Sequence, residues 1–94
     1  MNIDTIDALK KVIKNEKLLE KYSLEKIGVF GSFARGENAN DIDLYIDSDN
    51  CNLKKMLNLK NDIEKISNKK IDIMLKKYAN PIILYYALKD MIYD

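Results

Sequence analysis

The three glycines of this 94-residue chain, Gly28, Gly31 and Gly36, all fall within nine residues. The mostly apolar residues 26–30 predict a strand, and a glycine-rich turn follows directly on it. Backbone N–H groups that are freed at such a turn can hold phosphate oxygens. Gly31 and Ser32 are therefore the candidate phosphate-binding residues.

Acidic and apolar residues alternate in the segment after the turn, which carries Asp41, Asp43 and Asp47. Successive side chains of a strand point to opposite faces. The acids would thus share one face with Tyr45, and the core side would be formed by Ile42, Leu44 and Ile46. Asp72 lies in a later alternating run, whose core-side residues are Ile71, Ile73 and Leu75. If these two strands are neighbours, the carboxylates of Asp41, Asp43 and Asp72 converge at one edge of one sheet.

Three convergent carboxylates beside a phosphate turn predict a magnesium-nucleotide site. Nucleotidyl transfer uses two Mg²⁺ ions that clamp the attacking oxygen and the leaving pyrophosphate, and Mg²⁺ or Mn²⁺ requires hard oxygen ligands. Asp41 and Asp43 could bridge both ions. Asp72 could complete the coordination of the ion that activates the acceptor hydroxyl, and could accept the proton of that hydroxyl. A lone Asp-x-Asp is usually a solvated strand face, but the combination with the turn and a third acid favours catalysis.

Arg35 is the only arginine among sixteen basic residues, and it lies beside the candidate phosphate turn. A planar guanidinium can bind phosphate through two parallel hydrogen bonds. The lysine-rich composition is typical of an AT-rich genome, which explains the scarcity of arginine but not its position. We therefore predict that Arg35 contributes to nucleotide binding.

Several other functions are disfavoured by the composition. The chain has no histidine and a single cysteine, Cys51, which argues against a zinc site, a histidine-based triad and an internal disulfide. The net charge of +1, with lysines spread along the chain, gives little support for direct nucleic-acid binding. No apolar stretch approaches the ~18 residues of a membrane span, and the N-terminus lacks a signal-peptide pattern. We expect a cytoplasmic protein without membrane association, in which Cys51 is a loop residue without a role.

The expected fold is a single α/β (α+β) domain over residues 1–94, with a small mixed sheet of about three or four strands covered by helices. A first helix is predicted from Asp4 or Thr5 to about Tyr22, and a second amphipathic helix ends near Ser67. Asn80 and Pro81 predict the start of a final helix, with proline in its first position. This helix is expected to pack through Ile82, Ile83, Tyr86 and Ile92, with Tyr85 and Tyr86 half-buried.

The motifs resemble those of the minimal nucleotidyltransferases of the DNA polymerase beta superfamily. The signature of that family is Gly-Ser, a spacer, Asp-x-Asp and a later third Asp, and it is matched here by Gly31, Ser32, Asp41, Asp43 and Asp72. The resemblance covers nearly the whole chain, including a closing helix from Pro81 to the Tyr93 end. It implies the nucleotidyltransferase fold, in which Gly31 and Ser32 would contact the triphosphate of ATP and the three aspartates would bind magnesium. The spacer of eight residues is shorter than usual, and the shortening falls in the loop after Gly36.

The resemblance also implies a function and a partner. Small members of the family are commonly encoded beside an all-helical HEPN ribonuclease toxin and act as its antitoxin, in some cases by adding AMP to a toxin tyrosine. The leading hypothesis is therefore transfer of AMP from ATP to a hydroxyl on such a partner. One alternative is a catalytically weak antitoxin that acts by binding alone. Another is transfer to a small molecule such as an aminoglycoside, which similar enzymes perform with an additional domain.

Overall fold

The computed structural model describes residues 5–37, 40–48 and 51–93. The helices are α1 (Ile6–Asn15), α2 (Leu18–Lys21), α3 (Gly31–Ala34), α4 (Leu53–Ser67) and α5 (Pro81–Lys89), with a short 3₁₀ turn at Lys76–Tyr78. The strands are β1 (Gly28–Phe30), β2 (Asp41–Ile46), β3 (Lys70–Leu75) and β4 (Ile92–Tyr93). Within these residues, no helix combines the length and the apolar character that crossing a bilayer requires.

The four strands form one mixed sheet in the order β3-β2-β1-β4. β2 runs parallel to β3, and β1 is antiparallel to both β2 and β4. The α4 helix supplies the crossover that a parallel pair requires. The predicted α/β class and mixed sheet are confirmed, and so is the condition that the two acid-bearing strands are neighbours.

One face of the sheet forms the core together with the helices. Ile42, Leu44 and Ile46 have no exposed surface, as the alternation in β2 predicts. The same hydrophobic cluster contains residues of α1 and α4, namely Leu9, Val12, Ile13, Leu59 and Ile63. Cys51 lies in the loop before α4, as predicted, and its side chain is buried in this cluster. It precedes the cap of α4 and fills space in the core.

The N-terminal helical segment is broken, whereas a single helix to Tyr22 was predicted. Thr5 caps α1 by accepting a hydrogen bond from the Ala8 N–H, but Asp4 lies outside the described residues. Lys17 adopts a left-handed conformation (φ 52°), which ends α1 and starts α2. Contacts far along the chain hold α2, since the Tyr22 hydroxyl donates to Asp62 on α4 at 2.5 Å.

The C-terminal segment differs most from its prediction. Asn80 caps α5 and Pro81 occupies its first turn, as predicted, but the helix ends at Lys89. The last described residues form β4, in which Ile92 pairs with Val29 of β1. Without this strand the edge of β1 would leave backbone N–H and C=O groups unpaired. The closing helix to Tyr93 was therefore wrong, because pairing with a distant strand outweighs the local helical pattern.

The predicted packing role of the α5 side chains was also wrong. Ile82, Ile83 and Tyr86 are 69%, 56% and 61% exposed, and Tyr85 is 60% exposed. Only Ala87 of this helix is buried. The helix thus presents large apolar side chains that the described part of the chain does not cover.

Candidate active site

The predicted phosphate turn is a tight connection in which β1 ends at Phe30 and α3 begins at the next residue, Gly31. Gly31 has φ +75°, a left-handed conformation that favours glycine. A Cβ at this position would also collide with the Oδ2 atom of Asp43. Both the backbone conformation and the close approach of a predicted site carboxylate therefore favour glycine at position 31.

The register of the sheet brings the acids of the two strands together. Asp43 on β2 is directly opposite Asp72 on β3, and Asp41 lies two residues earlier on the same face of β2. Adjacent strands are about 4.8 Å apart. This register agrees with the prediction that neighbouring strands place Asp41, Asp43 and Asp72 on one face, while their assignment as site residues stays a prediction.

The electrostatics of Asp43 reflect this arrangement. Partial burial raises the pKa of Asp43 above its ordinary value, and the negative charges of Asp72 and Asp41 raise the pKa further. Asp41 and Asp72 themselves are exposed. Like charges this close are favourable only when a cation lies between them.

The carboxylates suit Mg²⁺ in their chemistry. Among the described residues, no three or more acids, cysteines or histidines form a preassembled metal cage. Nucleotide-dependent enzymes commonly bind Mg²⁺ through one or two carboxylates together with substrate phosphates and water. Asp43, with Asp41 and Asp72 beside it, fits that kind of site, and Mg²⁺ would supply charge neutralisation and activation of an oxygen nucleophile.

Arg35 is engaged with other side chains of the protein. Its Nε donates to Glu37 at 2.5 Å, its Nη1 donates to Asp90 at 2.9 Å, and its Nη2 donates to the Ser32 Oγ at 3.4 Å. The hydrogen bond to Glu37, followed by that to Asp90, raises the pKa of Arg35. The arginine thus links the turn to the end of α5, and binding of phosphate by Arg35 stays a prediction.

Asp90 is a member of this arrangement that the sequence did not reveal. It lies 55 residues from Arg35, at the C-terminal end of α5. A lone aspartate at the end of a helix carries no local signal of such a contact. The position of the only arginine predicted phosphate binding and did not indicate Asp90 as its partner.

The other end of the acid-bearing face is closed by the C-terminal segment. Tyr45, predicted on this face, is 3% exposed and lies outside the main hydrophobic cluster. A Cβ on Gly28, which pairs with Tyr45, would approach the Met91 sulfur to 2.5 Å. The segment around Met91 and β4 therefore covers one end of the face, and the acids occupy the other end.

Carboxylates on neighbouring strands beside a glycine turn are suited to metal-assisted phosphoryl transfer, which is the chemistry of nucleotidyltransferases. The model of the family described as Polymerase beta, Nucleotidyltransferase matches residues 8–94. The chain belongs to this family, and the predicted resemblance is confirmed.

Similar proteins carry related names. A Methanocaldococcus jannaschii protein named "Putative protein adenylyltransferase" is 34% identical over 97 residues, which cover 95% of this chain and 97% of that protein. "Protein adenylyltransferase MntA" of Thermococcus cleftensis is 27% identical over 96 residues, which cover 99% and 96% of the two chains. The similarity therefore extends over nearly the full length of both relatives.

Solved structures share the fold. A mutant toxin–antitoxin complex of MntA and HpeT contains a chain that matches with a TM-score of 0.72 at 19% identity, over 86% of this chain and 68% of that chain. A toxin–antitoxin structure with AMP-PNP gives a TM-score of 0.70 at 20% identity, over 85% and 68% of the two chains. At these identities the likeness supports the nucleotidyltransferase fold.

Proposed function

We propose that this nucleotidyltransferase transfers AMP from magnesium-bound ATP to a hydroxyl on a partner protein, as the antitoxin of a HEPN ribonuclease toxin. The observation that carries the proposal is the contact of the Gly31 turn with Asp43, which itself lies opposite Asp72. The names of the relatives support protein adenylylation. The fold neighbours found in toxin–antitoxin complexes support the kind of partner.

The residues would act in an in-line displacement. The backbone of Gly31 and the side chain of Ser32 would hold the phosphates, and Asp41 and Asp43 would hold the metal-bound triphosphate. The acceptor oxygen would form a bond to the α-phosphorus while the bond to the β-phosphate oxygen breaks and pyrophosphate leaves. Asp72 would accept the proton of the acceptor hydroxyl.

The experiment is transfer of label from α-³²P-ATP to the partner, and the first candidate to test would be an all-helical protein encoded by a neighbouring gene. Asp72→Asn should abolish labelling and leave partner binding intact, because the amide has nearly the shape of the carboxylate. Asp47→Asn is the matched control, since Asp47 is an exposed acid that directly follows β2 and pairs with Lys76 at 3.4 Å. We expect this control to label normally.

The same experiment separates transfer from neutralisation by contact. If the wild-type protein binds and inhibits the partner but never labels it, the chain is a binding-only antitoxin and the transferase proposal is wrong. If Asp72→Asn labels as fast as wild type, the role of Asp72 as proton acceptor is wrong.

A further inference from the structure

A pocket of about 230 Å³ lies between the Gly31 turn and α5, and we refer to it as the turn–α5 pocket. Its lining includes Phe30, Gly31, Arg35, Ile83, Tyr86 and Asp90. Gly31 belongs both to this pocket and to the contact with Asp43, so the pocket opens beside the acids. Pockets for whole ligands usually measure ~300–1,000 Å³. The turn–α5 pocket therefore suits one ring system of a ligand whose charged part lies outside, on the turn.

The walls of the pocket are suited to a planar, weakly polar ring. Phe30, Ile83 and Tyr86 supply apolar surface, and Ile83 and Tyr86 are both more than half exposed. The Tyr86 ring is held by an edge-on contact with Tyr85, whose centroid is 5.3 Å away, and by the Lys89 ammonium at 5.2 Å from its centroid. A preplaced aromatic side chain beside a phosphate site is the usual platform for stacking a nucleobase.

The polar edge of the pocket is formed by the Arg35–Asp90 ion pair. The Asp90 carboxylate accepts one hydrogen bond from Arg35 at 2.9 Å and remains one-third exposed at 34%. A carboxylate has room for further donors, and an exocyclic amino group is such a donor. Adenine presents an amino group at the position where guanine presents a carbonyl oxygen. The adenine amino group could therefore donate to this carboxylate.

We propose that the turn–α5 pocket is the nucleobase subsite, which stacks an adenine ring against Tyr86 and directs its amino edge to Asp90. This inference rests on the proposed function, because it assumes that a triphosphate lies on the Gly31 turn. It gives α5 a role in nucleotide binding in addition to its place in the fold. A larger groove of about 370 Å³ lies elsewhere, along β3 and the start of α4, and includes none of the three aspartates.

The test compares binding of Mg-ATP with that of Mg-tripolyphosphate, which lacks the base and the ribose, by calorimetric titration. Wild type should bind Mg-ATP about tenfold or more tightly than Mg-tripolyphosphate. Tyr86→Leu should lose most of that difference and keep its tripolyphosphate affinity. Tyr78→Leu is the matched control, because Tyr78 is 64% exposed but lines the other groove. This control should bind Mg-ATP as wild type does.

The outcomes separate this inference from the proposed function. If wild type binds neither compound, the nucleotide site itself is wrong and the base subsite is wrong with it. If both compounds bind and Tyr86→Leu retains the full preference for Mg-ATP, only the base subsite is overturned. Loss of partner binding in Tyr86→Leu with unchanged ATP affinity would assign the pocket to the protein interface and likewise overturn the subsite. Asp90→Ala that retains the full preference for Mg-ATP over Mg-tripolyphosphate would overturn the role of Asp90.

Discussion

The two faces of the same sheet are built on opposite principles. On one face Ile42 and Leu44 have no exposed surface and pack beneath α1 and α4. On the other face Asp43 lies opposite Asp72 on the neighbouring strand, and partial burial, followed by the charge of Asp72, raises the pKa of Asp43. The first face gains stability from burial, whereas the second holds charges that oppose folding in the absence of a cation. Substitutions at adjacent residues of β2 should therefore affect either stability or activity, depending on the face that carries the side chain.

The largest expected effect is loss of activity when the carboxylate at the centre of the acidic face is removed. Asp43→Asn should slow nucleotidyl transfer by roughly a thousandfold or more, equivalent to about 4 kcal/mol of barrier. The substitution removes a carboxylate that would bind the metal ion of the metal-bound triphosphate. The folded protein should be as stable as wild type or more stable in EDTA, since the repulsion from Asp41 and Asp72 is relieved. Steady-state transfer kinetics and thermal unfolding measure the two quantities.

The neighbouring core residue provides the control with the opposite result. Leu44→Ala leaves a cavity beneath the helices and should lower the free energy of unfolding by about 2–5 kcal/mol. At a temperature where this variant is still folded, its Mg-ATP affinity should be close to that of wild type. Equal destabilisation by the two substitutions would show that the faces do not differ in the way proposed.

Two glycines, one at the start of α3 and one just after its end, sharpen the comparison at the border of the acidic face. Gly31 and Gly36 have nearly equal φ values of +75° and +79°, so alanine at either position should cost about 1–2 kcal/mol of backbone strain. A Cβ at Gly36 meets no atom within 4 Å, whereas one at Gly31 collides with Asp43. Gly31→Ala should therefore be the less stable variant and should also displace the carboxylate.

Denaturant unfolding and transfer rates of the two glycine variants isolate the effect of that collision. Gly36→Ala should keep its activity at the cost of backbone strain alone. If both variants lose the same stability and the same activity, the contact of Gly31 with Asp43 does not contribute to function.

Two carboxylates with opposite pKa shifts predict opposite responses to acid. Hydrogen bonds from Lys21 and Tyr22 lower the pKa of Asp62 below 3.8, while burial, Asp72 and Asp41 raise the pKa of Asp43 above 3.8. Ionised Asp62 thus stabilises the fold above the unfolded-state pKa, and this contribution is lost as the pH falls through the lower folded-state value. Ionised Asp43 opposes folding, and protonation relieves this as the pH falls through its raised folded-state value.

Thermal midpoints in EDTA between pH 7 and about pH 3 test both signs. The thermal midpoint of Asp62→Asn should lie below that of wild type at neutral pH and should fall less steeply in acid. The thermal midpoint of Asp43→Asn should equal or exceed that of wild type at neutral pH, and the difference should disappear as the pH falls. Parallel curves for the two variants would contradict the opposite shifts.

The acidic face was predictable because its signal is local. Alternation in β2 and β3 assigns each side chain to a face by its position alone, and the glycine turn lies directly before it in sequence. The caps at Thr5 and Asn80 were predictable for the same reason, since a capping side chain bonds to backbone only two or three residues away. The actual contact between Gly31 and Asp43 required the register of β1 on β2.

The other end of that face was not predictable, because it depends on contacts between distant parts of the chain. Ile92 and Tyr93 continue the apolar pattern of a helix, and only the open edge of β1 makes them a strand. The break at Lys17 likewise depends on how α2 docks on Asp62, 41 residues after Lys21. The exposed side chains of α5 follow a helical pattern that indicates burial, although the described chain provides nothing to bury them.

The smallest effect is expected at Arg35, where the acidic face meets α5. Lysine keeps the charge but cannot bond Glu37, Asp90 and Ser32 at once, as the guanidinium does. If Arg35 also binds phosphate, Arg35→Lys should weaken Mg-ATP binding about fivefold or more, and Asp90→Asn should weaken it less. If Arg35 serves only to hold α5 near the turn, the two variants should lower the thermal midpoint equally and change ATP affinity equally. Calorimetry and thermal unfolding of both variants decide whether the only arginine of the chain acts on the nucleotide or on the helix that flanks it.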